Sequence, residues 1–104
     1  MPEISVPLSE APEPTEVKQI EVAGRAPVAL YNLDGEYFAT DDTCTHGEAS
    51  LAEGDIDGDE IYCPFHMGAF DIRTGEATVA PCAQALRSYG VNVVGDSITI
   101  EIPE

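Results

Sequence analysis

The sequence predicts an all-β protein, folded as an antiparallel β-sandwich or small barrel. Three observations point there. Short apolar runs recur at roughly 8–12-residue spacing, as the strands of such folds do. Turn signals of Asp, Gly and Pro separate them, and only Leu8 to Ala11 hints at helix.

The elements follow in order. A Pro- and Glu-rich entry from Pro7 to Glu16 leads into Val17–Val22, where apolar and polar residues alternate as in a half-buried strand. Gly24 ends it. Val28–Tyr31 is a second strand. Asp34-Gly35 signals a tight hairpin turn, which requires positive φ angles, and Tyr37–Thr40 returns. Asp57-Gly58-Asp59 is a second such turn, between Gly54-Asp55-Ile56 and Ile61-Tyr62-Cys63. Arg73-Thr74-Gly75 turns the chain after Phe70-Asp71-Ile72. Two further strands, Leu86–Val94 and Ser97–Ile102, are hinged at Gly95-Asp96.

Length and composition bound the function. The chain has 104 residues, 43% of them hydrophobic, which suits one domain with one modest core. No apolar run approaches the roughly 18–20 residues that span a bilayer. The N-terminus lacks a basic region followed by an apolar stretch, so a cytoplasmic location is expected. Twenty acids face four bases, a formal charge of −16. Such a field repels nucleic acid and anionic membranes and favours cationic partners. Asp41, Asp42, Glu48, Glu53, Asp55, Asp57, Asp59 and Glu60 crowd one segment. The plain alternative is that these acids only keep the protein soluble.

The same segment holds both histidines and two of the three cysteines: Cys44-Thr45-His46, sixteen intervening residues, then Cys63-Pro64-Phe65-His66. Each pair follows the end of an expected strand, so both lie on loops that a hairpin can bring together. An odd cysteine count does not suggest a disulfide framework. Cys82, between Pro81 and Ala83, reads as a packed thiol outside the pairs.

Three chemistries compete for this pattern. Structural zinc accepts Cys and His, but its arms usually pair like with like, and here each arm is mixed with no helix to carry the second. A Cys/His nucleophile predicts one special cysteine, not a duplicated motif. A binuclear iron–sulfur cluster with two thiolates on one iron and two imidazoles on the other fits best. Each loop then supplies one ligand to each iron, which requires one Cys and one His close together on each.

The motif resembles that of the Rieske [2Fe–2S] family. Gly54 before the hairpin, Phe70 after the second loop and Ala80-Pro81, similar to a third, proline-containing loop over the cluster, extend the likeness across most of the chain. In length the chain is most similar to the ferredoxin components of bacterial aromatic-ring dioxygenase systems. One departure is Met67, where the family often has Gly after the second histidine.

The resemblance implies one [2Fe–2S] cluster held by Cys44, His46, Cys63 and His66, with the cysteines on the buried iron and the histidines on the outer one. It implies a single Rieske-type domain over 1–104, with a cluster-binding subdomain of two ligand loops, about 41–81, inserted in a basal β domain. The implied role is one-electron transfer without substrate chemistry of its own. Electrons come from an NADH-dependent, FAD-containing ferredoxin reductase and go to a terminal Rieske oxygenase, with the carrier a monomer. The small Rieske-like subunit of a nitrite reductase is the alternative.

The ligands also set an electrostatic expectation. Two ferric ions, two sulfides, two thiolates and two neutral imidazoles sum to zero, whereas four thiolates would leave two negative charges. Adding an electron to the neutral set costs less work, so the potential exceeds that of an all-cysteine ferredoxin. High-potential Rieske proteins carry a serine and a tyrosine where this chain has Gly68 and Phe70, and a disulfide between the loops. A potential low in the Rieske range is therefore expected.

Overall fold

The structure, a computed structural model, describes residues 3–22, 24, 27–43, 49–64, 68–79 and 85–102. Strands dominate it, and the only helical elements among these residues are two 3-10 turns, Leu8–Glu10 and Leu51–Glu53. No described helix is long and apolar enough to cross a membrane.

Among the described residues, three antiparallel sheets form the fold. The first contains β1 (Glu3–Pro7), β11 (Ser97–Glu101) and β10 (Val91–Val94), in that order. The second runs β2 (Glu16–Ile20), β3 (Val28–Leu33), β4 (Glu36–Asp41) and β9 (Ser88–Tyr89). The third runs β5 (Asp55–Asp57), β6 (Glu60–Tyr62), β7 (Ala69–Asp71) and β8 (Ala77–Val79). The expected antiparallel all-β sandwich is thus present, with a third sheet added to it.

The second sheet is the shared wall. Every residue of β3 is buried. Its side chains alternate, because successive residues of a strand point to opposite faces. Val28 and Leu30 enter one core with Val6, Ala39, Tyr89, Ile98, Ile100 and Ile102, between the first and second sheets. Ala29, Tyr31 and Leu33 enter the other with Ala49, Leu51, Ile61, Cys63, Phe70 and Ile72, beneath the third sheet. This explains why Val28–Tyr31 is a short unbroken apolar run rather than an alternation.

Local chemistry fixes the register of the hairpins. Leu33 pairs with Glu36, leaving Asp34 and Gly35 as a two-residue turn with φ of 56° and 100°. Positive φ at both positions is the type I′ pattern, whose twist matches that of the flanking strands. The Asn32 carboxamide oxygen accepts the Gly35 N–H at 2.7 Å, closing the turn. Asp57 pairs with Glu60 and Val94 with Ser97, so the expected turns at Gly58-Asp59 and Gly95-Asp96 are two-residue connections as well.

Three features depart from the sequence reading. Leu86–Val94 is not one strand: β9 and β10 belong to different sheets, and Gly90 stands between them. Glu3–Pro7, unassigned from the sequence, is β1, paired along its length with β11, so that Glu3 lies opposite Glu101. Ala77–Val79, unassigned from the sequence, closes the third sheet against β7.

Candidate metal centre

The third sheet has two ends with different roles. The β5–β6 turn at Gly58-Asp59 and the turn after β7 lie at one end, where the Asp59 carbonyl accepts the Ile72 N–H at 2.8 Å. The β6–β7 connection lies at the other. It starts at Cys63, whose N–H donates to the Gly68 carbonyl at 2.7 Å. That bond closes the base of a short loop, 64–67. Val79, which leads into 80–84, pairs with Ala69 at this same end.

Cys63 is buried, in one core with Ala49, Leu51, Ile61 and Phe70. Ala49 and Leu51 lie just after the 44–48 segment. The roots of both predicted ligand loops therefore share a single apolar core. Of the predicted ligands, Cys63 is placed; Cys44, His46 and His66 lie outside the described residues, as do Met67, Ala80, Pro81 and Cys82.

Asp42 is the part of this region that the sequence did not single out by itself. It belongs to the acid-crowded segment, yet only 1% of it is exposed. One carboxylate oxygen accepts from the Ser50 hydroxyl at 2.6 Å and from the Gln19 Nε2 at 2.7 Å. The other accepts the Ala52 N–H at 2.9 Å. Three donors satisfy a carboxylate that burial would otherwise penalise heavily. The Asp-x-Cys spacing was the available signal, but a sequence cannot show which carboxylates of an acidic run turn inward. Asp41 is also not a plain surface acid, since it accepts a hydrogen bond from the Tyr89 hydroxyl.

Tyr31 sits on the β3 face that enters this core. Its hydroxyl is 2.8 Å from Thr40 Oγ1, which donates onward to the Asp41 carbonyl at 2.9 Å. Burial pushes the Tyr31 phenol well above its ordinary pKa. The Thr40 bond opposes that shift, and the negative charges of Asp42 and Asp41 add to it.

The remaining acids divide between the two ends of the sheet. Asp55 pairs with Tyr62, the residue before Cys63. Glu53 lies on the 3-10 turn between the Asp42 contacts and β5. Asp59 stands four residues before Cys63, about 13 Å along the strand at roughly 3.3 Å per residue. There it meets Arg73 Nε at 3.4 Å, while Arg73 Nη2 lies 3.7 Å from Glu36 and its guanidinium carbon 4.9 Å from the centre of the Phe38 ring. Arg73 thus ties the third sheet to the β3–β4 hairpin, away from the predicted ligand loops.

The family profile of the Rieske [2Fe–2S] domain matches residues 4–90. The chain belongs to the Rieske [2Fe–2S] family. It is 47% identical over 88 residues to the ferredoxin component of the p-cumate 2,3-dioxygenase system of Pseudomonas putida, covering 84% of this chain and 75% of that one. It is 42% identical over 98 residues to the ferredoxin component of the naphthalene 1,2-dioxygenase system of Pseudomonas aeruginosa, covering 94% and 92%. A chain in the structure of a complex of reduced oxygenase and oxidized ferredoxin in carbazole 1,9a-dioxygenase superposes with a TM-score of 0.89 at 39% identity, covering 94% of this chain and 91% of that one.

The cofactor of this Rieske protein is a [2Fe–2S] cluster, and the protein is an electron carrier. The described residues fit that group. Cys63 offers a buried thiol at the closed base of a loop, and soft thiolate ligands suit iron–sulfur clusters. When bound, the cluster supplies a one-electron couple. The chain supplies an apolar core around Cys63, made by Leu51, Ile61 and Phe70, all fully buried.

Proposed function

We propose that this Rieske protein shuttles single electrons from an NADH-dependent, FAD-containing ferredoxin reductase to the terminal oxygenase of an aromatic-ring dioxygenase system. The observation that carries the reading is full-length likeness to ferredoxin components: one such relative is matched over 92% of its length. The chain that superposes at TM-score 0.89 comes from a structure titled as an oxygenase–ferredoxin complex. The alternative, a small subunit of a nitrite reductase, is favoured by nothing beyond a shared fold.

In this reading Cys44, His46, Cys63 and His66 hold the cluster. Residues 41–81 act as the cluster-binding subdomain of the single domain 1–104, and the remainder is the basal β domain. The cysteines take the inner iron, beside that apolar core. The histidines take the outer iron, so that their ring edges shorten the path to a partner. The site is the cytoplasm, in keeping with NADH as the source of electrons. The charge of −16 disfavours self-association, nucleic acid and anionic membranes, which supports a monomer with cationic protein partners.

The test is reconstitution. The purified protein is combined with reductase and oxygenase pairs encoded in the same operon, and NADH oxidation is followed together with aromatic product. Turnover that requires this chain and is lost in His66→Ala supports the reading. Turnover that proceeds equally without the chain refutes it.

A further inference from the structure

We propose that Asp42 is the positioning residue of the first ligand loop: its buried carboxylate pins both ends of residues 43–50 so that Cys44 and His46 meet the cluster in one geometry. This rests on the ligand set proposed above.

The geometry is that of a clasp. Asp42 immediately follows β4, and its own backbone N–H donates to the Pro27 carbonyl at 3.2 Å. On the far side of the loop, Ser50, Leu51 and Ala52 all bond back to this one residue. The Leu51 N–H donates to the Asp42 carbonyl at 2.7 Å, and the Ser50 hydroxyl and Ala52 N–H donate to its carboxylate. Thr43 and Ser50 also form an isolated antiparallel bridge. The Gln19 amide, from β2, fastens the carboxylate to the second sheet.

The loop is thus anchored to the rigid shared wall rather than to the third sheet alone. Holding the two ends in this way lowers the entropy lost when four ligands must converge on one cluster. Removal of the carboxylate takes from the Ala52 N–H, the Ser50 hydroxyl and the Gln19 amide, all at a part-buried site, the one acceptor they share. The loss of three hydrogen bonds to a charged acceptor is unfavourable enough to loosen the loop.

Substitutions separate position from charge. Asp42→Ala removes the clasp. Asp42→Asn removes the charge but keeps the shape, since Gln19 can turn its amide to present Oε1 and Ser50 can accept instead of donate. Gln19→Ala and Ser50→Ala weaken the clasp one strand at a time with Asp42 intact. Ile100→Ala, in the core between the first and second sheets, serves as a control for general destabilisation.

Each purified holoprotein is reduced, its paramagnetic resonance recorded, and cluster release to a ferrous chelator timed. Asp42→Ala is expected to broaden the resonance and release the cluster about ten-fold faster. Gln19→Ala and Ser50→Ala should fall between it and the parent. Asp42→Asn should restore a narrow line and slow release, with a raised midpoint potential from the lost negative charge. Ile100→Ala should lower the melting temperature without broadening the line.

Unchanged line width and release in Asp42→Ala, or in both single-strand variants should Asp42→Ala not fold, overturn the positioning role. Broadening in Ile100→Ala equal to that in the clasp variants overturns it too. The ligand reading fails separately, if the parent protein shows no nitrogen-ligated signature or if His46→Ala retains it.

Discussion

Gly54 faces the carbonyl oxygen of Tyr62 so closely that a Cβ at position 54 would stand 2.0 Å from it. The backbone there, φ −89° and ψ −173°, is extended and open to any residue, so the demand for glycine is purely one of space. The oxygen belongs to the peptide that joins Tyr62 to Cys63. Gly54→Ala must therefore push on the root of the second ligand loop. The expected cost is about 1–3 kcal/mol of stability, as for other overpacked sites, together with reduced iron per chain. Thermal unfolding and iron analysis check this. Full iron content with an unchanged melting temperature would show that the contact yields freely.

Tyr31 gives a pH dependence with a definite sign. Its folded-state pKa is raised above the unfolded value of about 10. Below that value the phenol is neutral in both states and its contribution is fully present. Above it the unfolded chain releases a proton that the folded chain keeps, so stability falls by up to about 1.4 kcal/mol per pH unit. Denaturant titrations at pH 8 to 11.5 should show this decline. Tyr31→Phe should remove part of the slope, at a cost of about 0.5–1.5 kcal/mol near neutral pH for the lost Thr40 bond. An identical alkaline slope in the variant would assign it to other groups.

The midpoint potential is expected near roughly −150 mV, the low end of the Rieske range. Hydrogen bonds to the cluster's sulfurs stabilise its reduced, more negative form and raise the potential. Gly68, at the end of the second loop, and Phe70, in β7, are both buried and have no side-chain hydroxyl to give. Phe70→Tyr and Gly68→Ser should each move the midpoint upward in protein-film voltammetry. A parent value above about +100 mV, well up that range, would mean that backbone donors compensate.

Long-range steering should depend on which end of the third sheet carries the acid. Glu53 and Asp55 lie near the roots of the predicted ligand loops, whereas Asp57 and Asp59 flank the opposite turn, where Asp59 is engaged by Arg73. Stopped-flow electron transfer from the reductase should slow steeply between about 20 and 300 mM salt, because screening shortens the field's reach to about 10 Å at 0.1 M. Glu53→Gln with Asp55→Asn should flatten that slope more than Asp57→Asn with Asp59→Asn. Equal effects would mean that partners sense only the net charge. A rate indifferent to salt would leave these acids a solubility role.

The sequence by itself determined what depends on neighbours along the chain. Asp34-Gly35 had to turn, because few other pairs tolerate two positive φ values in succession. The mixed pairs Cys44/His46 and Cys63/His66 pointed to a two-iron cluster of mixed ligation, because such a cluster takes thiolates on one iron and imidazoles on the other. Tertiary structure decided what depends on residues far apart. β1 is paired because β11, some ninety residues later, offers it an edge; Glu3–Pro7 alternates polar and apolar residues, but five residues ending in proline do not by themselves name a partner. Leu86–Val94 reads as one strand, but its two halves are drawn to different sheets. Above all, the chain does not show that Asp42 turns inward while Asp55 and Asp57 stay outside. Folding carries Gln19, Ser50 and Ala52 to one of these carboxylates and leaves Asp55 and Asp57 in water, because a buried carboxylate is tolerable only where enough donors converge on it.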